Sequence, residues 1–371
     1  GLLLADMVRR GEASLDDPIA KYLPPGIRAP ERGRPITLLD LATHGSGLPR
    51  LPTNMAPASP ENPYADYDEA RLYDFLNGYA LTRDVGARFE YSNLGLGLLG
   101  ALLARRAGSD YETLLRRRIL EPLGMRDTAV ALSPSLKARL APGHTDMLAP
   151  APNWDFDALA GAGALRSTAD DLLTFLAAEL RFVKTPLAAA MADQLVPRAA
   201  GPAPVRMALA WHVSSFQSGE VFWHGGGTAG YRTFFGFDPK ARTGVVVLTN
   251  AGTTAGVDDI GFHLLAGRPL NRLAPRQDRV AITLPAARLA PFVGAYGTGP
   301  LQMSVTQEGS QLFAQLSGQQ RWEIYPDGAN YFFWKVVDAQ VSFTRAAEGG
   351  PVTGAVIRQA GRSTTLRRVG P

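Results

Sequence analysis

Two short stretches of the 371-residue chain carry side chains suited to chemistry. In "RFEYSNLG", Tyr91 and Asn93 stand two residues apart where a helical pattern begins. A phenol and a carboxamide at that spacing can enter one cleft from a turn, with the positive end of the helix behind them. In "FWHGGGTAGYRTFFGF", His224 is followed by Gly225, Gly226, Gly227 and Thr228, then by an apolar strand. Consecutive glycines are poor strand formers. They suit a strand along which a ligand lies close to the backbone and a free N–H holds a developing oxyanion. Each stretch also has a plainer reading: a helix cap with a packed ring in the first, a glycine bulge or turn in the second.

The remaining chemistry-bearing residues read as structural. Ser46, in His44-Gly45-Ser46-Gly47, lacks the strand-turn-helix setting of a Gly-x-Ser-x-Gly nucleophile and reads as a turn. His144, His212 and His263 have no second ligand at metal spacing, so no metal site and no cofactor are expected. Asp170 and Asp171 follow a helix cap and suit the helix dipole. Trp211, Trp223, Phe234 and Phe235, with the aromatics of "WEIYPDGANYFFW", read as core. The chain has no cysteine, which excludes disulfides, thiolate nucleophiles and Cys-ligated metals. A net charge of +4 with scattered arginines and no aromatic-interleaved basic stripe argues against nucleic acid as a partner. No apolar run reaches the roughly 20 residues of a membrane span.

These residues must be positioned by a helix-rich stretch followed by strands. Leu2, Leu3, Leu4, Met7 and Val8 recur at helical spacing from the first residue, with no capping residue ahead of them. A short helix is predicted from Thr37 to Ala42, and a long apolar one over "SNLGLGLLGALLARRAG", capped by Ser92 or Asn93. "DYETLLRRRILEPLGM" reads as a helix ended by Pro122 and Gly124, and "STADDLLTFLAAEL" as one starting at Ser167 and Thr168. "VRMALAWHVSSFQSGEVFWHGG" and "YRTFFGFDPKARTGVVVLTN" read as antiparallel strands before a last helix around "VDDIGFHLLAG". Helices first and strands after define an α+β domain over 1–267. Residues 268–284, rich in Arg and Pro, read as a linker, and the short alternating runs of 285–371 as a small β-domain, barrel or sandwich.

Six ordered segments, "EASLDDPIAKYLP", "ITLLDLATHGSGLP", "GARFEYSNLGLGLLG", "ILEPLGMRDT", "AGALRSTADDLLTFL" and "HGGGTAGYRTFFGF", resemble the serine β-lactamase and penicillin-binding protein family, in the branch of class C β-lactamases, esterases and D-aminopeptidases. The tail with "FVGAY" and "VTQEG" is similar to the small β-domain often appended to such proteins. The resemblance implies a helical lobe and an antiparallel sheet flanked by helices. It makes Tyr91 the general base or proton shuttle, Asn93 a substrate-orienting amide, and His224-Gly225-Gly226 the third motif. Gly227 would donate one oxyanion N–H, with Gly226 and Thr228 beside it. It also implies a periplasmic or secreted protein acting on small molecules or peptides.

The family's nucleophile lies in a Ser-x-x-Lys motif. None of Lys21, Lys137, Lys184, Lys240 and Lys335 has a serine three residues before it. The resemblance places that motif just upstream of the segment matching Gly1. The expectation is therefore a chain cut after its own nucleophile, lacking its N-terminal strands, inert toward acyl transfer and poorly soluble alone. His224, with an ordinary pKa near 6.5, offers no permanent cation to a β-lactam carboxylate, so esters, amides or D-amino-acid peptides are the expected substrates. The rival reading is a non-catalytic homologue that binds peptide or cell-wall-like ligands in the same cleft.

Overall fold

The computed structural model describes residues 1–146, 148–253, 256–271, 279–299, 301–317, 321–335, 337–347, 349–359 and 362–370. The chain forms two compact units, the first of Gly1–Gly143, Ala151–Gly252 and Gly256–Leu270, the second of His144–Pro150, Thr253–Ala255 and Asn271–Pro371. The 268–284 stretch expected as linker includes residues 272–278, which lie outside the described residues.

In the first unit, helices α1 (Leu2–Arg9), α2 (Leu38–Ala42), α3 (Glu69–Gly78) and α4 (Asn93–Arg106) build one apolar core. Helix α2 has only five residues and is held by its start. Thr37 Oγ1 accepts the Asp40 N–H at 3.3 Å while the Asp40 carboxylate accepts the Thr37 N–H at 2.9 Å, a reciprocal cap that satisfies two orphan donors. Arg34 then donates to both oxygens of the buried Asp40 at 2.6 and 2.7 Å. Helix α4 is apolar nearly all round and buried accordingly. Gly97 and Gly100 let residues 159–161 approach it: a Cβ at Gly97 would come within 2.9 Å of Leu159 Cα, and one at Gly100 within 3.0 Å of Gly161 Cα.

One helix carries a feature that its sequence does not announce. The run from Tyr111 stops at Leu123, next to Pro122 and Gly124 as expected, but contains a π turn at Arg116–Leu120. The widened turn contains the carbonyl of Arg118, four residues back, which a proline ring would strike in a regular α-helix. Gly124, at φ +74°, ends it.

The sheet of the first unit is antiparallel and sequential: β1 (Ala199–Ala200), β2 (Arg206–Met207), β3 (His212–Ser215), β4 (Glu220–Thr228), β5 (Tyr231–Asp238) and β6 (Thr243–Thr249). Strands β4 and β5 form a hairpin in register from Phe222↔Phe237 to Thr228↔Tyr231. The alternation of β5 sends Phe237 to one face, with Leu176 and Leu180 of helix Ala169–Glu179, and Phe234 to the other, with Val257 and Leu265 of helix Asp258–Ala266. The sheet is thus flanked by helices on both faces. Asp171 does more than suit a dipole: its carboxylate accepts the Asp127 N–H at 2.8 Å and the Thr128 hydroxyl at 2.7 Å.

The second unit settles the choice between barrel and sandwich. Strands β7 (Gly294–Thr298), β8 (Leu301–Glu308), β9 (Gln311–Leu316), β10 (Trp322–Pro326), β11 (Tyr331–Phe333), β12 (Ala339–Arg345), β13 (Val352–Gln359) and β14 (Arg362–Gly370) form a closed antiparallel barrel, β14 pairing back onto β7. Closure leaves no sheet edge. Phe292, Tyr296, Phe332 and Phe343 fill it. Of the aromatics expected as core, Phe332, Phe333 and Trp334 are buried, whereas Trp322 and Tyr331 lie 40% and 56% exposed. Tyr331 alternates with the inward Phe332 and so faces outward, whereas Trp322 shares the inward face of Ile324 and is exposed where its strand begins.

Candidate active site

Tyr91 sits in the turn that leads into α4. Ser92 caps the helix, its Oγ accepting the Gly95 N–H at 2.9 Å and donating to the Pro49 carbonyl at 2.6 Å. The residues flanking Tyr91 are tied to one partner: the Glu90 N–H donates to the His44 carbonyl at 2.9 Å, and the Ser92 N–H to His44 Nδ1 at 3.1 Å. The His44 ring lies against the Tyr91 ring with centroids 4.5 Å apart. The Arg50 guanidinium is 5.1 Å from the Tyr91 ring centre. Burial raises the Tyr91 phenol above its ordinary 10.0, and the Arg50 charge opposes that rise.

Strand β4 brings His224 to the same place, its ring centre 6.4 Å from that of Tyr91. His224 Nδ1 is 2.7 Å from the Gly225 carbonyl. A carbonyl only accepts, so the proton is on Nδ1 and the Nε2 lone pair is left for another partner. Burial lowers the His224 pKa below 6.5, and the Gly225 hydrogen bond partly offsets it. The imidazole beside the phenol is therefore neutral at pH 7 and basic at Nε2.

His212 lies beside His224. Its ring stacks on Trp223 at 4.7 Å and meets His224 edge-on at 5.3 Å, and burial pushes its pKa down to about 4. Among the described residues no group of three or more His, Asp or Glu is placed to hold a metal ion. Ser46 is a buried turn residue whose Oγ accepts the Leu48 N–H at 3.3 Å. His263 closes its own helix, Nδ1 lying 2.7 Å from the Arg268 carbonyl.

Asn93, on the first turn of α4, donates its amide to Tyr64 Oη at 3.2 Å, and Tyr64 stacks on Phe156 at 4.5 Å. Gly226, Gly227 and Thr228 continue β4 beyond His224 opposite Thr233, Arg232 and Tyr231. The cross-strand side chains supply their own reason for glycine. A Cβ on Gly226 would stand 2.3 Å from Thr233 Oγ1, and one on Gly227 1.7 Å from Arg232 Nη1.

The helical lobe and the antiparallel sheet flanked by helices are the fold of solved class C β-lactamases. The Beta-lactamase family matches residues 1–267, and the chain belongs to that family, whose members are serine hydrolases. The D-alanyl-D-alanine-carboxypeptidase/endopeptidase AmpH of Escherichia coli (strain K12) is 29% identical over 290 residues, covering 72% of this chain and 74% of that protein. Among solved structures, a class C β-lactamase from Rhodobacter sphaeroides superposes with a TM-score of 0.60 at 27% identity over 68% of this chain and 77% of its own. A β-lactamase/D-alanine carboxypeptidase from Yersinia pestis does so with 0.58 at 25% identity, over 68% and 75%.

His44 and His212 were not singled out as neighbours of Tyr91 and His224. "THGSGLP" reads as a turn, and nothing within it points to Tyr91; the φ of +58° at His44 is visible only in the structure.

Proposed function

We propose that the site works by acyl-enzyme chemistry on ester, amide or D-amino-acid peptide bonds, with Tyr91 moving the proton, His224 as its neutral neighbour, Asn93 orienting the substrate and Gly227 giving one oxyanion N–H beside Gly226 and Thr228. The observation that carries this reading is the approach of the Tyr91 and His224 rings, brought together from a helix start and a strand 133 residues apart in sequence (224 − 91). In the reaction the serine oxygen bonds to the carbonyl carbon, the phenol relays the serine proton to the leaving group, and water then cleaves the acyl-enzyme. No Ser-x-x-Lys occurs in these 371 residues, so on this reading they form no acyl-enzyme by themselves.

The neutral His224 offers no permanent cation to the carboxylate of a β-lactam, which favours uncharged esters and amides over β-lactams. Support for the peptide class comes from the carboxypeptidase name of the E. coli relative. The test is mass spectrometry of the gene product purified from its source, after a fluorophosphonate or penicillin probe. A labelled serine supports the reading, and absence of any adduct with retained binding of a D-Ala-D-Ala peptide favours the non-catalytic alternative. Faster turnover of nitrocefin than of p-nitrophenyl esters would overturn the substrate assignment.

A further inference from the structure

Tyr91 is held by a residue from another part of the chain. Most turns that present a side chain are fixed by bonds within the turn. Here the N–H before the tyrosine and the N–H after it both donate to His44, one to its carbonyl and one to its ring. The Gly86 N–H adds a third tie to the next carbonyl, Gly45 O, at 2.8 Å. The ring bond requires His44 Nδ1 to be unprotonated, so its proton is on Nε2, the opposite tautomer to His224. His44 is 2% exposed and adopts φ +58°, a left-handed conformation that few residues other than glycine take. Desolvation, aided by the nearby His224, His212 and Arg50, holds its pKa down to about 3, so the acceptor persists across the working pH range. A fully buried imidazole that spends its one lone pair on the backbone beside Tyr91 and packs its ring on the phenol's ring does more than form a turn, which glycine or asparagine would serve as well.

We propose that His44 is a positioning residue that sets the direction of the Tyr91 phenol, clamping the backbone on both sides of it and backing its ring. This deepens the acyl-transfer reading and rests on it for its catalytic meaning. The geometric part stands without it. Only the 3.1 Å bond to Ser92 N depends on the side chain, so the acceptor atom is what a substitution must keep or remove.

The test uses the full chain labelled with ¹³Cζ-tyrosine, the Tyr91 resonance being assigned by its loss in Tyr91→Phe. His44→Asn keeps an acceptor at the Nδ1 position and tolerates positive φ. His44→Gln carries its acceptor one atom further out, and His44→Gly has none. The expected result is that Tyr91 in His44→Asn titrates with a midpoint within about 0.3 unit of the parent, whereas Gln and Gly move it and broaden the resonance as the ring samples several directions. In the gene product from its source, acylation by a p-nitrophenyl ester should fall on the order of 100-fold in kcat for Gln, with KM changed less than about twofold, and recover with Asn. If Gly does not fold, the Asn and Gln pair decides alone. An unmoved Tyr91 resonance in Gln, or equal loss in Asn and Gln, overturns the clamp. Failure of the underlying reading looks different: Tyr91→Phe would acylate at the parental rate while the His44 variants still disturb the resonance.

Discussion

At the scale of single residues the site sets two imidazoles, His44 and His224, against one phenol, each with its protonation fixed by what it touches. His224 keeps Nδ1–H because Gly225 offers only a carbonyl, and His44 keeps Nε2–H because Ser92 offers only an N–H. Since burial lowers the His224 pKa, charging of this ring begins only below its ordinary 6.5. In the gene product from its source, the acid limb of the acylation rate, measured against pH with a neutral ester, is expected below pH 6.5. His224→Lys should abolish that limb, because it leaves a permanent cation facing Tyr91. If Tyr91 carries the proton, Tyr91→Phe should lower kcat by about 10² to 10⁴ with little change in KM, read by steady-state kinetics on the same ester.

At the scale of elements, what matters is how a helix start and a strand present these groups. The Ser92→Ala variant loses the cap of α4 and should cost about 1 kcal/mol in a urea titration. On strand β4 two adjacent glycines should behave differently. Gly226→Ala drives a methyl against Thr233 Oγ1, a short β-branched side chain with little freedom, and should cost about 1–3 kcal/mol. Gly227→Ala meets only the tip of Arg232, which can swing aside, and should cost less than about 1 kcal/mol, both read from thermal melts. Much of this level was legible in the sequence. Ser92 and Thr168 were readable as caps because capping is a contact three residues long. Tyr91 and His224 were singled out by residue type and setting, and the structure brings their rings together. The end of the run from Tyr111 at Gly124 was readable, whereas the π turn inside it was not.

At the scale of the whole molecule, one buried carboxyl links folding to pH. Glu179 is 6% exposed, accepts the Gln194 amide at 2.5 Å on Oε1, and borders a cavity of about 330 Å³ also lined by Met191, Leu195 and Lys240. Desolvation raises its pKa from 4.5 to about 8, against the lowering effect of Gln194. The folded state therefore holds this proton where the unfolded chain has lost it. Its contribution to stability is full below pH 4.5 and is lost as the pH climbs to about 8. Glu179→Gln should remove that decline, so that urea midpoints of variant and parent agree near pH 4 and diverge in favour of the variant by pH 9.

The sequence alone determined the local grammar of this protein: helix starts, turn-bounded strands, the absence of thiol chemistry, and the placing of a phenol at a helix start and of an imidazole followed by glycines on a strand. Each of these is decided by residues within a few positions of one another. Tertiary structure alone decided that His44 lies against Tyr91 and that His212 lies beside His224. It also decided that Thr233 and Arg232 occupy the space above the glycines and that the tail closes into a barrel. Those facts depend on hydrogen bonds and packing between segments distant in the chain, and on burial, which sets tautomer and pKa through the loss of water rather than through residue type.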